Sequence, residues 1–233
     1  MLFRSSLTFG DGASFTADLN GDDASPGTDS VTLAQDAEIS LPADSEGTVT
    51  ITTSSTLALQ PGSAIQTGLG NITLEAQQAI SEGARLVSEA GALSLTAEDV
   101  ELRSTEVDGS SIAMVSTTLL LENSNIQALG GDVVIESASL TLAGNLGTEI
   151  ATTGSGSVSL TGDLVLAANS SVSVENGTLV VAGDAVSLEG QLVSAGTGSV
   201  SVTGETSLDL ASTRLVLPVN PGNRIETLSW LTP

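Results

Sequence analysis

Short pairs of alternating aliphatic residues recur along most of the chain at nearly constant spacing. Each pair has the form aliphatic–any–aliphatic, and successive pairs begin 19 to 25 residues apart. A glycine stands two residues before seven of the eight pairs, while the fourth has Ser110 there and Gly109 one place earlier. The pairs are Val49/Ile51, Ile72/Leu74, Leu93/Leu95, Ile112/Met114, Val133/Ile135, Val158/Leu160, Leu179/Val181 and Val200/Val202. Such a column predicts one structural unit used about eight times.

Each repeat continues with a second aliphatic pair, six to eight residues after the start of the first, and then with a single aliphatic residue. The second pairs are Leu57/Leu59, Val100/Leu102, Leu119/Leu121, Leu140/Leu142, Leu164/Leu166, Val186/Leu188 and Leu208/Leu210, with Ile80 alone in the second repeat. The third positions are Ile65, Leu86, Val107, Ile126, Ile150, Val172, Leu192 and Leu215. Alternation at three places predicts three short strands in each repeat.

The predicted fold is all-β: a right-handed parallel β-solenoid (β-helix) of about eight coils, each of about 21 residues, over residues 31–217. A single coil cannot bury its own aliphatic side chains, so stacking must place equivalent residues about 4.8 Å apart in inward columns. We expect the recurrent glycine to turn a corner with positive φ. An antiparallel sandwich or two immunoglobulin-like domains also alternate, but they do not explain the glycine column.

The flanks are predicted to differ from the array. Residues 1–30 form an acidic N-terminal flank that we interpret as an artefactual or incomplete start. Residues 218–233 form a C-terminal flank that we interpret as truncated. All four aromatic residues lie in these flanks: Phe3, Phe9, Phe15 and Trp230.

Charge and composition narrow the possible functions. Five Arg stand against 28 acidic residues, and the net charge of −23 would repel nucleic acid and anionic lipid. No apolar run is long enough to insert into a membrane. The chain has no His, Cys or Lys, which leaves few groups for acid–base or nucleophilic catalysis. We therefore predict no catalytic residue, and we interpret Arg85 and Arg103 as surface countercharges.

Several blocks resemble the repeats of filamentous-haemagglutinin-like exoproteins and autotransporter passengers, from about Val31 to Leu217. They read GNITLEAQQAI, GALSLTAEDVEL, GDVVIESASLTL and GSVSLTGDLVL. The resemblance implies the shaft or binding surface of a large, secreted, adhesin-like bacterial protein without catalytic activity, outside the cell or at its surface. The implied partners are a host or neighbouring-cell surface, or polysaccharide, together with the rest of the same polypeptide.

Three other functions remain open from the residues. A β-helical polysaccharide lyase or glycoside hydrolase could assemble a carboxylate pair, although sugar clefts generally use aromatic platforms and the repeats have none. A calcium-stabilised extracellular spacer would use the acidic residues. Ice binding needs a threonine ladder, and the outward column offers only Thr50 and Thr73 before Ser94 and Ala113 interrupt it.

The N-terminal flank contains one candidate calcium loop. Asp18, Asn20, Asp22 and Asp29 occupy positions 1, 3, 5 and 12 of such a loop. However, its sixth position needs glycine and holds Asp23, so an acidic turn without metal is the alternative interpretation.

A second candidate lies within the repeats. Asp163, Asp184 and Glu205 each directly follow a glycine, five residues after the first aliphatic residue of their repeat. Stacked carboxylates repel one another unless water or a cation screens them. The sequence therefore predicts a carboxylate ladder that binds calcium weakly, with an ordinary solvated edge as the alternative.

Overall fold

A computed structural model of the chain describes residues 1–3, 7–8, 13–19, 30–210, 212–217 and 224–227. Two parallel sheets face each other across one aliphatic core. The wide sheet contains β1 Leu2–Phe3, β3 Phe15–Leu19, β4 Val31–Leu33, β6 Val49–Thr53, β7 Thr56–Leu59, β9 Ile72–Glu82, β11 Ala92–Arg103, β13 Ser111–Glu122, β15 Val133–Ala143, β17 Val158–Leu166, β19 Thr178–Leu188, β21 Ser199–Asp209 and β23 Arg224–Thr227. The narrow sheet contains β2 Leu7–Thr8, β5 Glu38–Ser40, β8 Ala64–Thr67, β10 Arg85–Ser88, β12 Glu106–Gly109, β14 Asn125–Ala128, β16 Glu149–Thr152, β18 Ser171–Val174, β20 Gln191–Ser194 and β22 Arg214–Val216.

The chain alternates between the two sheets, so each strand pairs with its equivalent in the next coil. Val158 pairs with Leu179, and Leu179 pairs with Val200, as stacking in register requires. The result is a β-solenoid of about eight turns, each of about 21 residues, and the prediction of this fold is confirmed. The alternative interpretation, an antiparallel sandwich or two immunoglobulin-like domains, is wrong, because the described strands pair in parallel throughout both sheets.

The three predicted strand segments are present but not always separate. In the coil that begins at Val49 they are β6, β7 and β8. From β9 onward the first two segments join into one strand of 9 to 12 residues. Buried and more exposed residues alternate along the long strands, but in strands such as β9 and β13 the alternation is interrupted in the middle by two exposed residues in succession. This interruption marks a bend between the two inward pairs.

The predicted core is confirmed at the first aliphatic pair of every coil. All sixteen of these side chains are no more than 1% exposed. The second pairs and third positions continue the same core, except for Ile80 in the second repeat and Leu208, Leu210 and Leu215 in the last, which are partly buried. At roughly 1.5–3 kcal/mol for each large aliphatic side chain, this burial is the main driving force for stacking.

Ile80 was predicted to face inward, and that prediction is wrong. Ile80 pairs with Ala58 and Glu101, which are both outward residues, and its own side chain is only partly buried. The inward positions of this coil belong to Ala79 and Ser81, which are 3% and 0% exposed. Because both side chains are small, a cavity of about 10 Å³ remains beside them.

The glycine column serves a different purpose from the one predicted. None of its members has positive φ in the described residues. Instead, where a glycine occupies the column, the coil approaches its neighbour so closely that a side chain would not fit: a Cβ on Gly70 would lie 1.7 Å from the carbonyl oxygen of Gly47, and a Cβ on Gly156 would lie 2.0 Å from that of Gly131. The glycines are therefore required by contact between coils.

Positive φ occurs at another corner, directly before the narrow-sheet strand. There Gly62, Gly83, Ser104 and Asn123 have φ of 76°, 65°, 49° and 52°. Asn tolerates this left-handed conformation better than most residues, and Gly adopts it freely. Left-handed backbone is therefore found at this corner, and also at Gly130, Gly154 and Gly196 just before the glycine column, but not in the column itself.

Strands from both flanks extend the ladder beyond Val31 and Leu217. β1, β2 and β3 pair with β4, β5 and β6, and β23 pairs with β21. The described parts of the flanks therefore add to the same two sheets.

Candidate functional site

A concave part of the described surface lies along the solenoid axis, over the second half of the long strands. Strand alternation points every second residue outward here, and parallel register aligns these residues into two columns. The first column is Asp99, Thr118, Ser139 and Asp163. The second column is Glu101, Leu120, Thr141, Val165, Ser187 and Asp209. We call the depression between and over these two columns the outer groove.

The outer groove has two adjoining stretches. The first has a volume of about 370 Å³ and lies over Asp99, Glu101 and Leu120. The second has a volume of about 240 Å³ and lies over Asp163, Val165 and Asp209. Ser139 lines both stretches, so they form one shallow, open surface suited to an elongated ligand.

Hydrogen bonds hold the acidic side chains of the outer groove in place. The Thr118 hydroxyl donates to Oδ1 of Asp99, and the backbone N–H of Ala185 donates to Oδ1 of Asp163 over 2.9 Å. Arg103 donates to Glu101 at the edge of the groove and to Glu122 in the next coil. Asp99, Asp163 and Glu101 thus each have a hydrogen-bond partner within the chain.

Arg85 and Arg103 act as the predicted surface countercharges. Arg85 forms an ion pair with Glu106 at 2.6 Å, and Arg103 bridges Glu101 and Glu122. Both side chains are about half exposed. Their hydrogen bonds to Glu106 and Glu101 raise the pKa of each guanidinium above its ordinary value.

The predicted carboxylate ladder does not assemble a metal site in this conformation. Asp163, Asp184 and Glu205 do line one open hollow, and Gly183 pairs with Gly204 as the repeat predicted. However, among the described residues no group of three acidic side chains is placed to hold one metal ion. Calcium binding at the ladder stays a prediction without a preformed site.

The reason lies in the length of the bend. The coils of Asp163, Asp184 and Glu205 have three, four and five residues between the two inward pairs. The pairing accordingly shifts register at this point in each successive step. The carboxylates therefore fall on irregular positions instead of one straight column.

The other calcium candidate lies mostly outside the described residues. The backbone of Asp18 belongs to β3 and pairs with Thr52. Asn20, Asp22 and Asp29 are not among the residues that the structure describes.

Asp108 is the most perturbed acid that the structure describes. It projects from β12 two residues after Glu106, and its Oδ1 is buried without a hydrogen-bond partner among the described residues. Burial, followed by the negative charge of Glu106, raises the pKa of Asp108 to about 6. The Arg85 guanidinium opposes this shift only weakly. Asp108, Glu106 and Arg85 thus form a charged cluster on the narrow sheet, in which Asp108 keeps its proton to a higher pH than a free aspartate does.

A buried hydroxyl ladder was missed by the sequence reasoning. Its members stack in successive coils: Thr105 N–H donates to Ser124 Oγ over 3.1 Å, and Thr148 N–H donates to Ser170 Oγ over 3.2 Å. Thr148 Oγ1 in turn donates to the carbonyls of Leu121 and Ala143. These bonds satisfy polar backbone groups at the corner before the narrow sheet. The signal was available, because a small residue stands two places before every third aliphatic position.

No family model, curated protein or solved structure matches the chain. Within the described ranges, no helix has the length and apolar character needed to cross a membrane. Fold and surface together define the class of protein: a β-solenoid repeat protein with a long outer groove.

Proposed function

We propose that this chain is the non-catalytic shaft or binding surface of a large, secreted, adhesin-like bacterial protein, located outside the cell or at its surface. The observation that carries the proposal is the continuous parallel pairing of strands from β7 to β21, coil upon coil. Such a stack is quasi-one-dimensional, and it presents outward side chains in repeated columns along one axis.

This geometry supports binding through many weak contacts. A repeated surface engages a cell or a polysaccharide at several points at once, and multivalency raises the overall affinity well above that of one contact. Small hydroxyl residues such as Ser159 and Ser201 dominate the outward column of the first half-strand. A host or neighbouring-cell surface, or polysaccharide, is the partner that we propose.

The test uses beads coated with the purified chain. Adhesion is measured on cultured epithelial cells, on bacterial cells and on immobilised polysaccharides, with beads carrying Leu160→Asp as an unfolded control. The proposal expects adhesion to at least one surface by the folded chain only. Release of cleaved oligosaccharides from the polysaccharides, or equal adhesion by the unfolded control, would contradict it.

A further inference from the structure

The second column of the outer groove places methyl-bearing side chains next to one another at the surface. Leu120, Thr141 and Val165 stand side by side in three consecutive coils. Val165 is 48% exposed, while Leu120 and Thr141 are partly buried. A row of methyl groups in a groove loses contact with water when an apolar chain covers it, which favours binding.

The first column adds negative charge at both ends of this row. Asp99 lies on the strand before Leu120, and Asp163 lies on the strand of Val165, two residues before it. Each first-column residue is therefore about 6.6 Å from the second-column residue of its own strand, at about 3.3 Å per residue. A lysine or arginine side chain spans this distance, with its methylene stem on apolar surface and its charged head in the polar rim.

The spacing along the axis selects one shape of ligand. Asp99 and Asp163 are separated by three coil steps, or about 14 Å at about 4.8 Å per step. In an extended peptide, residues four apart lie on the same face and about 13 Å from each other. A basic residue at each of these places would reach both aspartates, and the residue midway would lie over Leu120 and Thr141.

We propose that the outer groove binds an extended, Lys- or Arg-rich segment of a partner protein, with basic residues four apart and an aliphatic residue between them. This inference rests on the proposed binding-surface function and names its partner. Charge complementarity supports it, because the chain carries a net charge of −23 and the acids of the groove are already held in place.

The test measures fluorescence anisotropy of a labelled peptide, KSLSKSLSK, with the full chain. Its scrambled counterpart, KKKSSSLLS, keeps the composition and loses the spacing. The double substitution Asp99→Asn with Asp163→Asn is expected to weaken binding of the first peptide about tenfold or more, which corresponds to the loss of one good charged contact. Leu120→Asn tests the aliphatic column and is expected to weaken binding as well.

The matched control is Glu89→Gln with Glu136→Gln, which removes two exposed acids that do not line the groove. Equal affinity for the control and groove variants, or for the two peptides, would overturn the inference in favour of diffuse attraction. Failure of the peptide to bind while coated beads still adhere would overturn this inference and leave the proposed function standing. Loss of bead adhesion as well would count against both.

Discussion

At the scale of single residues, the position within the coil determines which side chains are tolerated. Leu160 and Ser159 are neighbours in the chain, yet Leu160 is 1% exposed in the core and Ser159 faces outward. The glycine column follows the same principle, because the next coil lies where a side chain would be. Substitutions one place apart should therefore differ sharply in their cost.

Leu160→Asp is expected to unfold its neighbourhood, since it buries a carboxylate among aliphatic side chains and removes a core residue. Its cost should exceed about 4 kcal/mol. Ser159→Asp puts the same group on the outer surface and should change stability by less than about 1 kcal/mol. Thermal unfolding of both variants, followed by circular dichroism, checks the prediction, and similar melting temperatures would refute the inside–outside assignment.

Gly156→Ala is expected to destabilise the chain by about 1–3 kcal/mol, because the added methyl group would overlap the carbonyl oxygen of Gly131 2.0 Å away. The natural control is Ser110→Ala. Ser110 occupies the same column, with hydrogen bonds to Gly91 and Gly131, and already carries a side chain. Denaturant titration should place Gly156→Ala clearly below the parent and Ser110→Ala near it. A Gly156→Ala variant as stable as the parent would mean that the coils are not in such close contact.

Asp108 should make stability depend on pH. Folding raises its pKa from 3.8 to about 6, so the folded chain holds this proton more tightly than the unfolded chain. The resulting stabilisation is complete below about pH 3.8 and is lost as the pH rises through about 6. Asp108→Asn removes the loss and should stabilise the chain at pH 8, on the order of 1 kcal/mol after solvent screening, with little effect near pH 4.

The measurement is the melting temperature of parent and variant across this pH range. Glu89→Gln removes one exposed negative charge elsewhere and serves as the control. If Asp108→Asn and Glu89→Gln raise the melting temperature equally at pH 8, relief of general repulsion accounts for the effect and the local cluster does not.

At the scale of strands, the alternation of aliphatic residues was enough to predict most of the strands and the residues in them that face the core. The sixteen inward residues could be found from the sequence because each pair alternates with a period of two and seven of the eight pairs have a glycine two residues before them. Ile80 could not be placed correctly, because the true inward residues, Ala79 and Ser81, are too small to stand out as hydrophobic. Register with the next coil decides such cases, and a single coil does not contain that information.

The bend that carries Asp163, Asp184 and Glu205 shows a second limit of prediction from sequence. Counting forward from the first aliphatic residue aligns Asp163, Asp184 and Glu205, whereas counting back from the second pair places them one, two and three residues before it. Successive coils have different numbers of residues in the bend, and the strand pairing shifts register there as a result. The outer groove was also beyond prediction, since its columns depend on which outward residues remain adjacent after the bend.

This bend makes a prediction about calcium. If the ladder binds calcium as the sequence predicts, millimolar calcium should raise the melting temperature of the parent more than that of Asp184→Asn, whereas screening of the overall charge alone would raise both about equally. Each protein is melted with calcium and with EDTA. Equal rises in the two proteins would contradict specific binding at the ladder.

At the scale of the whole molecule, equivalent residues of successive coils lie one strand spacing, about 4.8 Å, apart along the stack. The outward column of the first half-strand tests it, because Thr73, Ser159, Val180 and Ser201 belong to one continuous line of pairings. The chain has no natural cysteine, so spin labels attach only where cysteine is introduced.

The most direct measurement is double electron–electron resonance between Thr73→Cys and each of Ser159→Cys, Val180→Cys and Ser201→Cys. These pairs are four, five and six coil steps apart along the column, which corresponds to about 19, 24 and 29 Å between backbone positions at about 4.8 Å per step. A stacked solenoid predicts that the mean distance between the two spin labels rises by about 4.8 Å from each pair to the next. Distances that stay constant, or change without this regular increment, would contradict the solenoid.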